Sequence, residues 1–307
     1  MRLGLCCAFV GEPIHFRRTT ARYAGGLPGA GRRDLLRRLA AANAAALTQA
    51  IEWCVAHDVG AFRVNSEILP LRTHPLLGYE LDALDRGGAI TAVFQAAGAA
   101  ARRGHVRLSF HPDQFVVPGS IRAEVAASSL AELEAQATLA ELIGAEQITL
   151  HGGGAQGGKP AALARLARSL GRLSARAHAR LALENDDRIY TVEDLLPVCR
   201  DLGLPLVYDA HHHRCHPDGL TIEAATDAAA STWGSREPWA HLSSPRGGWG
   251  GDDPRRHADE IRARDVPACW LGRWMTIDVE AKAKEVAVLR LQAHLREGPR
   301  RAHGRDA

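Results

Sequence analysis

The chain of 307 residues has six cysteines, Cys6, Cys7, Cys54, Cys199, Cys215 and Cys269, and none of them stand in a Cys-x-x-Cys pair. That absence argues against a zinc ribbon. With no secretory context it also argues against a disulfide framework, so the thiols read as small buried residues in a reducing compartment. No stretch approaches the roughly 20 apolar residues of a membrane span. The opening MRLGLCCAFVG has one arginine, an apolar run too short for a signal core and no small-residue cleavage pattern, so a cytoplasmic protein is expected. Charge of one sign is scarce as well: a net charge of +3 does not by itself call for a nucleic-acid partner. No internal repeat is visible, and no linker divides the chain into two domains. The length and an ordinary globular composition leave one large α/β barrel as the natural class.

What is present is a strict alternation of two patterns. Short apolar runs fall at residues 3–10, 61–64, 106–110, 147–150, 181–183, 206–208, 239–242 and 275–279. Between them lie alanine- and leucine-rich segments with helical spacing, such as 35–56, 124–143, 161–173 and 222–230. Thr191 followed by Asp194 is a capping pattern that opens the helix before Cys199. Eight strands with intervening helices predict a single (β/α)8 TIM barrel over residues 1–295, with its site at the carboxyl ends of the strands. The polar, basic tail 296–307 is expected to be disordered.

Six side chains able to bind metal each close one of these runs: His111, His151, Glu184, Asp209, His241 and Glu280. One such residue means little, but six on separate strands of a barrel converge on one place. Imidazoles suit manganese, iron, cobalt and zinc, and carboxylates favour harder cations. The set exceeds what one ion needs, which predicts two or three divalent ions, Mn2+ first, with Co2+, Zn2+ or Fe2+ open. Two ions can hold the attacking and leaving oxygens of a phosphodiester and activate water. Glu184 and Glu280 are the expected bridging groups. In DAHHHRCHPDG, His212 follows Asp209 by three residues and can reach the same ion. His213 is expected to support the site or face DNA, and His211 to be structural. Asn185, Asp186, Ser243 and Ser244 are candidates to orient the ligands.

Several loops carry a weaker signal. HPDQF presents Gln114 and Phe115 at the barrel mouth, where an aromatic and an amide can probe a base stack; taken alone, the loop is better read as an ordinary aromatic covering the rim. HGGGAQGGK lacks the spacing of a phosphate-binding loop, so its glycines read as permitting close backbone approach. Lys159 either contacts phosphate or starts the next helix. The glycine-rich loop RGGWGGDDPRR, which begins at Arg246, is a candidate flexible active-site loop. Arginines 17, 18, 22, 32, 33, 37 and 38 suit a phosphate backbone or a solvated helix face.

The strings LPLRTHPLLGY, LSFHPDQFV, LHGGGA, LALENDD, VYDAHHH, HLSSP and VEAKAKE, in this order, resemble the UV damage endonucleases from about Leu3 to Leu291. The resemblance implies a metal-dependent barrel of the xylose-isomerase-like superfamily that nicks damaged double-stranded DNA immediately 5′ of ultraviolet photoproducts, with abasic sites a further substrate of some members. It implies His74, His111, His151, Glu184, Asp209, His212, His241, His257 and Glu280 as metal ligands, and Gln114 and Phe115 as the lesion-probing pair. Glu184, Glu280, His111 and Asp209 are the expected catalytic set; Lys159, His213 and Arg246 join the probing pair as expected DNA contacts. The sequence departs from the pattern at Trp239, where some members carry a modified lysine near the metals, and this bears on a third ion. A monomer is expected. Two other readings stand beside this one: a metal-dependent sugar isomerase of the same superfamily, and a barrel that binds damaged DNA without cutting it.

Overall fold

A computed structural model describes residues 1–297. Eight parallel strands close a barrel in chain order: β1 (Arg2–Cys6), β2 (Ala61–Val64), β3 (Arg107–Phe110), β4 (Gln147–His151), β5 (Leu181–Glu184), β6 (Leu206–Asp209), β7 (Trp239–Leu242) and β8 (Thr276–Val279). Closure comes from β8 pairing back onto β1, with Arg2 opposite Thr276 and Leu5 opposite Val279. The expected (β/α)8 architecture is therefore present. The first strand is shorter than its apolar run because Cys7 adopts φ 66°, outside the extended region, and turns the chain away from the sheet.

Helices cover the outer face, among them Gly29–Ala56, Ala89–Arg103, Ala123–Ile143, Val192–Leu202 and Ile222–Ser231. Thr191 and Asp194 form the reciprocal capping box at the start of Val192–Leu202, each side chain meeting the other's backbone amide. The last helix, Lys284–Glu297, includes Arg296, which pairs with Asp58 at 2.6 Å. The remainder of the expected disordered tail, 298–307, lies outside the described residues. No helix among the described residues is long and apolar enough to cross a membrane.

Strand side chains alternate between two separate environments, as the period of two requires. Outward residues such as Leu181, Leu183, Leu206 and Tyr208 pack under the helices in one continuous core. Inward residues Ala61, Ala182, Val207 and Trp239 form a second, smaller cluster with Trp233. Trp239 is fully buried, and the Arg107 guanidinium lies 4.2 Å from the centre of its ring. Arg107 in turn pairs with Glu146 at 2.6 Å and donates to the Thr276 hydroxyl at 2.7 Å. The indole therefore fills the interior of the barrel beneath His241, which stands two residues further along the same strand. Truncating Trp239 to alanine is expected to leave an interior cavity and cost ~3–5 kcal/mol of stability, measured by denaturant unfolding. A loss within ~0.5 kcal/mol would show that the indole is not a packing element.

Candidate metal centre

Inward alternation carries one side chain from most strands into the carboxyl end of the barrel, and there the polar groups converge on Glu184. This carboxylate is fully buried at the end of β5. Its Oε2 lies 2.7 Å from Nε2 of His111 and 3.7 Å from Nε2 of His151. Its Oε1 lies 2.9 Å from Nδ1 of His241 and 3.4 Å from Nδ1 of His212. Each oxygen thus faces a different pair of imidazoles. Two groups have ligand atoms mutually within 4.8 Å, His111–His151–Glu184 and Glu184–Asp209–His212, and they share Glu184.

Local structure explains how these side chains are aimed. Asp209 ends β6 and caps the short helix Ala210–Cys215, its Oδ1 accepting from the His212 amide at 2.7 Å. That cap places His212 one turn on, facing the same carboxylate cluster. Asn185 exchanges two hydrogen bonds of 2.9 Å with the Asp209 backbone and so locks the ends of β5 and β6 together. The Asn185 carbonyl lies 2.9 Å from His212 Nδ1, and the Pro112 carbonyl 3.1 Å from His111 Nδ1. Carbonyls at one ring nitrogen orient an imidazole and leave the other for a metal. Asp186 accepts from the amides of Arg188, Ile189 and Tyr190 and shapes the following turn. Ser244 donates to Asp265 rather than supporting His241.

The remaining expected residues divide by position. Glu280 joins the cluster at its edge, 3.5 Å from His241 Nδ1, and its Oε2 lies 3.7 Å from His257 Nδ1. His74 stands apart from these contacts: its Nδ1 accepts from the amides of Leu76 and Leu77, both at 3.2 Å. It lines a cavity of about 350 Å³ with Asp113, Phe115 and Gln136, and none of the residues around Glu184 is in that lining. Phe115 is 77% exposed, and Gln114 beside it is exposed. Asp113 turns this loop by accepting from the Phe115 amide at 3.1 Å. Arg246 is exposed and opens a loop closed by its amide donating to the Arg256 carbonyl at 2.6 Å. Trp249 in that loop donates to Asp265 at 2.8 Å, which ties the glycine-rich segment to the body. His213 is buried, with Nδ1 2.6 Å from the Tyr208 hydroxyl and Nε2 3.2 Å from Asp218, so neither nitrogen is turned to solvent. The Lys159 ammonium lies 2.6 Å from Asp194, inside the capping box. His211, expected to be structural, is fully buried against the rings of Trp249 and His257, and neither of its ring nitrogens has a hydrogen-bond partner.

Two buried residues at the site were not singled out from the sequence. Arg63 on β2 donates from Nε to Asp278, from Nη1 to Glu280 and from Nη2 to His241, and Asp278 on β8 is fully buried. The available signal was a charged residue inside each of two otherwise apolar strands, AFRV and TIDV.

The donor set suits a hard or borderline divalent cation: imidazole nitrogens and carboxylate oxygens around one shared carboxylate. Asp209 Oδ2 and His151 Nδ1 are buried without hydrogen-bond partners, a costly state for polar atoms that a bound ion or water would relieve. Burial disfavours the charge on Glu184, but His241, His151 and His111 outweigh it and hold the carboxyl well below its usual range. Burial pushes His151 down, keeping that imidazole neutral and ready to ligate. Burial also opposes charge on His212, yet Asp209, Glu184 and Glu280 prevail and raise it well above its ordinary value. A metal must therefore displace a proton from His212. Mn2+ affinity is expected to rise with pH through the neutral range, by up to about tenfold per unit for one displaced proton, and to level off above the His212 pKa. Calorimetry in buffers of different ionisation enthalpy checks this, and binding without proton release would refute it.

The molecule resembles known proteins along its whole length. A family model described as UV-endonuclease UvdE matches residues 1–301. The UV DNA damage endonuclease of Deinococcus radiodurans is 34% identical over 309 residues, covering 95% of this chain and 95% of the relative. The crystal structure of SacUVDE superposes with a TM-score of 0.85 at 26% identity, covering 97% of this chain and 98% of that one. Endonuclease IV from Thermus thermophilus shares the fold, with a TM-score of 0.63 at 18% identity over 97% of this chain and 100% of that one. With a match across nearly every described residue and a close barrel superposition, the chain belongs to the UV-endonuclease UvdE family.

Proposed function

We propose that the protein is a metal-dependent DNA repair endonuclease that nicks duplex DNA immediately 5′ of ultraviolet photoproducts, with abasic sites as a further substrate class. The single observation that carries this reading is the buried Glu184 carboxylate, with a different pair of histidines at each of its oxygens. His111, His151, Glu184, Asp209 and His212 are the residues that would hold two ions, with His241 and Glu280 completing the set and His257 at its edge. Bound divalent cations, Mn2+ foremost, would supply Lewis acidity toward the scissile phosphate and lower the pKa of water.

The protein's own residues do the remaining work. The interior Trp239 cluster closes the site from below, so the phosphate enters only from the loop side. Phe115 and Gln114 project at that mouth, where the ring can stack against or wedge into a weakened base step and the amide can occupy the vacated space. A distorted lesion costs less to unstack than an intact step, which makes damage itself the basis of selection. Arg246 and the arginines 17, 18, 32 and 33 offer charge for the phosphate backbone.

Purified protein supplied with Mn2+ is expected to nick a duplex bearing one thymine dimer on its 5′ side, assayed across a panel of divalent metals. Intact substrate with every metal would overturn the reading. Glu184→Gln is expected to lower nicking by at least about 100-fold with an unchanged circular dichroism spectrum, since loss of a direct ligand exceeds the loss of an outer partner. Phe115→Ala is expected to weaken binding to the damaged duplex by ~1–3 kcal/mol, the worth of one stacked base. Equal affinity in a gel-shift titration would remove the ring from recognition.

A further inference from the structure

Arg63 is a buried guanidinium in a parallel strand, where such a charge is costly unless its donors are matched. Each of its three nitrogens meets one acceptor. Nε donates to Asp278 Oδ2 at 2.9 Å, Nη1 to Glu280 Oε1 at 2.6 Å, and Nη2 to His241 Nε2 at 2.8 Å. An aspartate, a glutamate and a histidine are ligand types for a divalent cation, yet here they surround an organic one. Their spacing follows the fork of the guanidinium and not a single point. The two groups whose ligand atoms lie mutually within 4.8 Å are His111–His151–Glu184 and Glu184–Asp209–His212, and neither includes His241, Asp278 or Glu280.

Hydrogen-bond direction takes His241 out of the ligand set. A guanidinium only donates, so the lone pair of His241 Nε2 is engaged by Arg63. The neutral ring then carries its proton on Nδ1, which donates to Glu184 Oε1 at 2.9 Å. Neither nitrogen is left for a metal. Glu280 likewise has one oxygen on the guanidinium, and its other lies 3.7 Å from His257 Nδ1. Trp239, two residues before His241, brings only an N–H to the interior. Formal charge agrees with this arrangement, because buried charges must be matched. Two divalent ions balance the carboxylates of Glu184, Asp209, Asp278 and Glu280, and the guanidinium adds the single positive charge that one phosphodiester neutralises.

We propose that the Arg63 guanidinium is a built-in cation standing in place of a third metal ion, so that the centre takes two ions and His241 completes it as a hydrogen-bond donor to Glu184, not as a ligand. The inference rests on the metal reading above, and its test needs no DNA. Metal-free protein is loaded with Mn2+ and desalted, and the retained ions are counted by elemental analysis. Protein with 15N-labelled histidine is loaded with 113Cd2+ and followed by NMR, the His241 signals being assigned by their loss in His241→Gln. The parent is expected to retain two ions, with one-bond cadmium–nitrogen coupling at His111 and His151 and none at His241. Arg63→Ala releases Asp278, Glu280 and His241 together, and the count is expected to rise from two to three. A parent count other than two, or cadmium coupling at His241, would overturn the inference. So would a count of two in Arg63→Ala that circular dichroism shows to be folded; if that variant does not fold, the parent's count and couplings decide alone. Failure of the parent to take up either metal would remove the metal reading and this inference together. Three retained ions, or ligation by His241, removes this inference and leaves the metal reading standing.

Discussion

A single buried carboxylate organises the carboxyl end of this barrel. Glu184 has no exposure, and an ionised carboxylate in such a place is tolerated only with charged or strongly polar partners at each oxygen. Four histidines from four different connections of the barrel supply them, so the ends of β3, β4, β5, β6 and β7 are tied to one point. The depressed pKa of Glu184 and the raised pKa of His212 are two expressions of that concentration of charge. The same concentration makes the centre receptive to cations.

Below this polar layer the barrel is closed by apolar packing and by a second set of charges at its floor. Trp239 stacks with Arg107, and Arg107 is itself tied to Glu146 and Thr276. An indole there leaves no side chain able to carry a carboxylate upward from β7. Asp278 on the adjacent strand, linked through Arg63 to His241 and Glu280, is a further buried carboxylate of the interior. The two layers divide the labour, with packing and stacking beneath and ligand geometry above.

Much of the architecture was legible in the chain because barrel strands are buried on both faces and read as short apolar runs. Seven of these runs end within two residues of the observed strands, as Ala61–Val64 and Trp239–Leu242 illustrate; β1 was overextended because nothing local announces the positive φ of Cys7. Strand-end residues were recognisable for the same reason: His111, His151, Glu184, Asp209, His241 and Glu280 interrupt apolar runs at their carboxyl ends. Loop residues were less legible. His213 could be read as supporting the site or facing DNA, and Lys159 as contacting phosphate or starting a helix; Tyr208 and Asp218 engage the first, while the second opens the helix Lys159–Leu170 and meets Asp194. Those partners lie on separate segments, or depend on the side-chain conformation at a helix start, and spacing carries no trace of either.

The sequence alone determined the fold class, the family and the identity of most strand-end groups, because alternation, period and ordered motifs are local properties. Tertiary structure decided which of these groups share an ion-sized space: Glu184 stands between two sets of histidines, while Glu280 shares one oxygen with Arg63. It also decided that Arg63 and Asp278 belong to the site at all. Closing β8 onto β1 brings residues 4, 63, 241 and 278 into one cross-section of the barrel. Convergence of that kind is a property of the closed sheet, in which side chains far apart in the chain point along the radii of one ring.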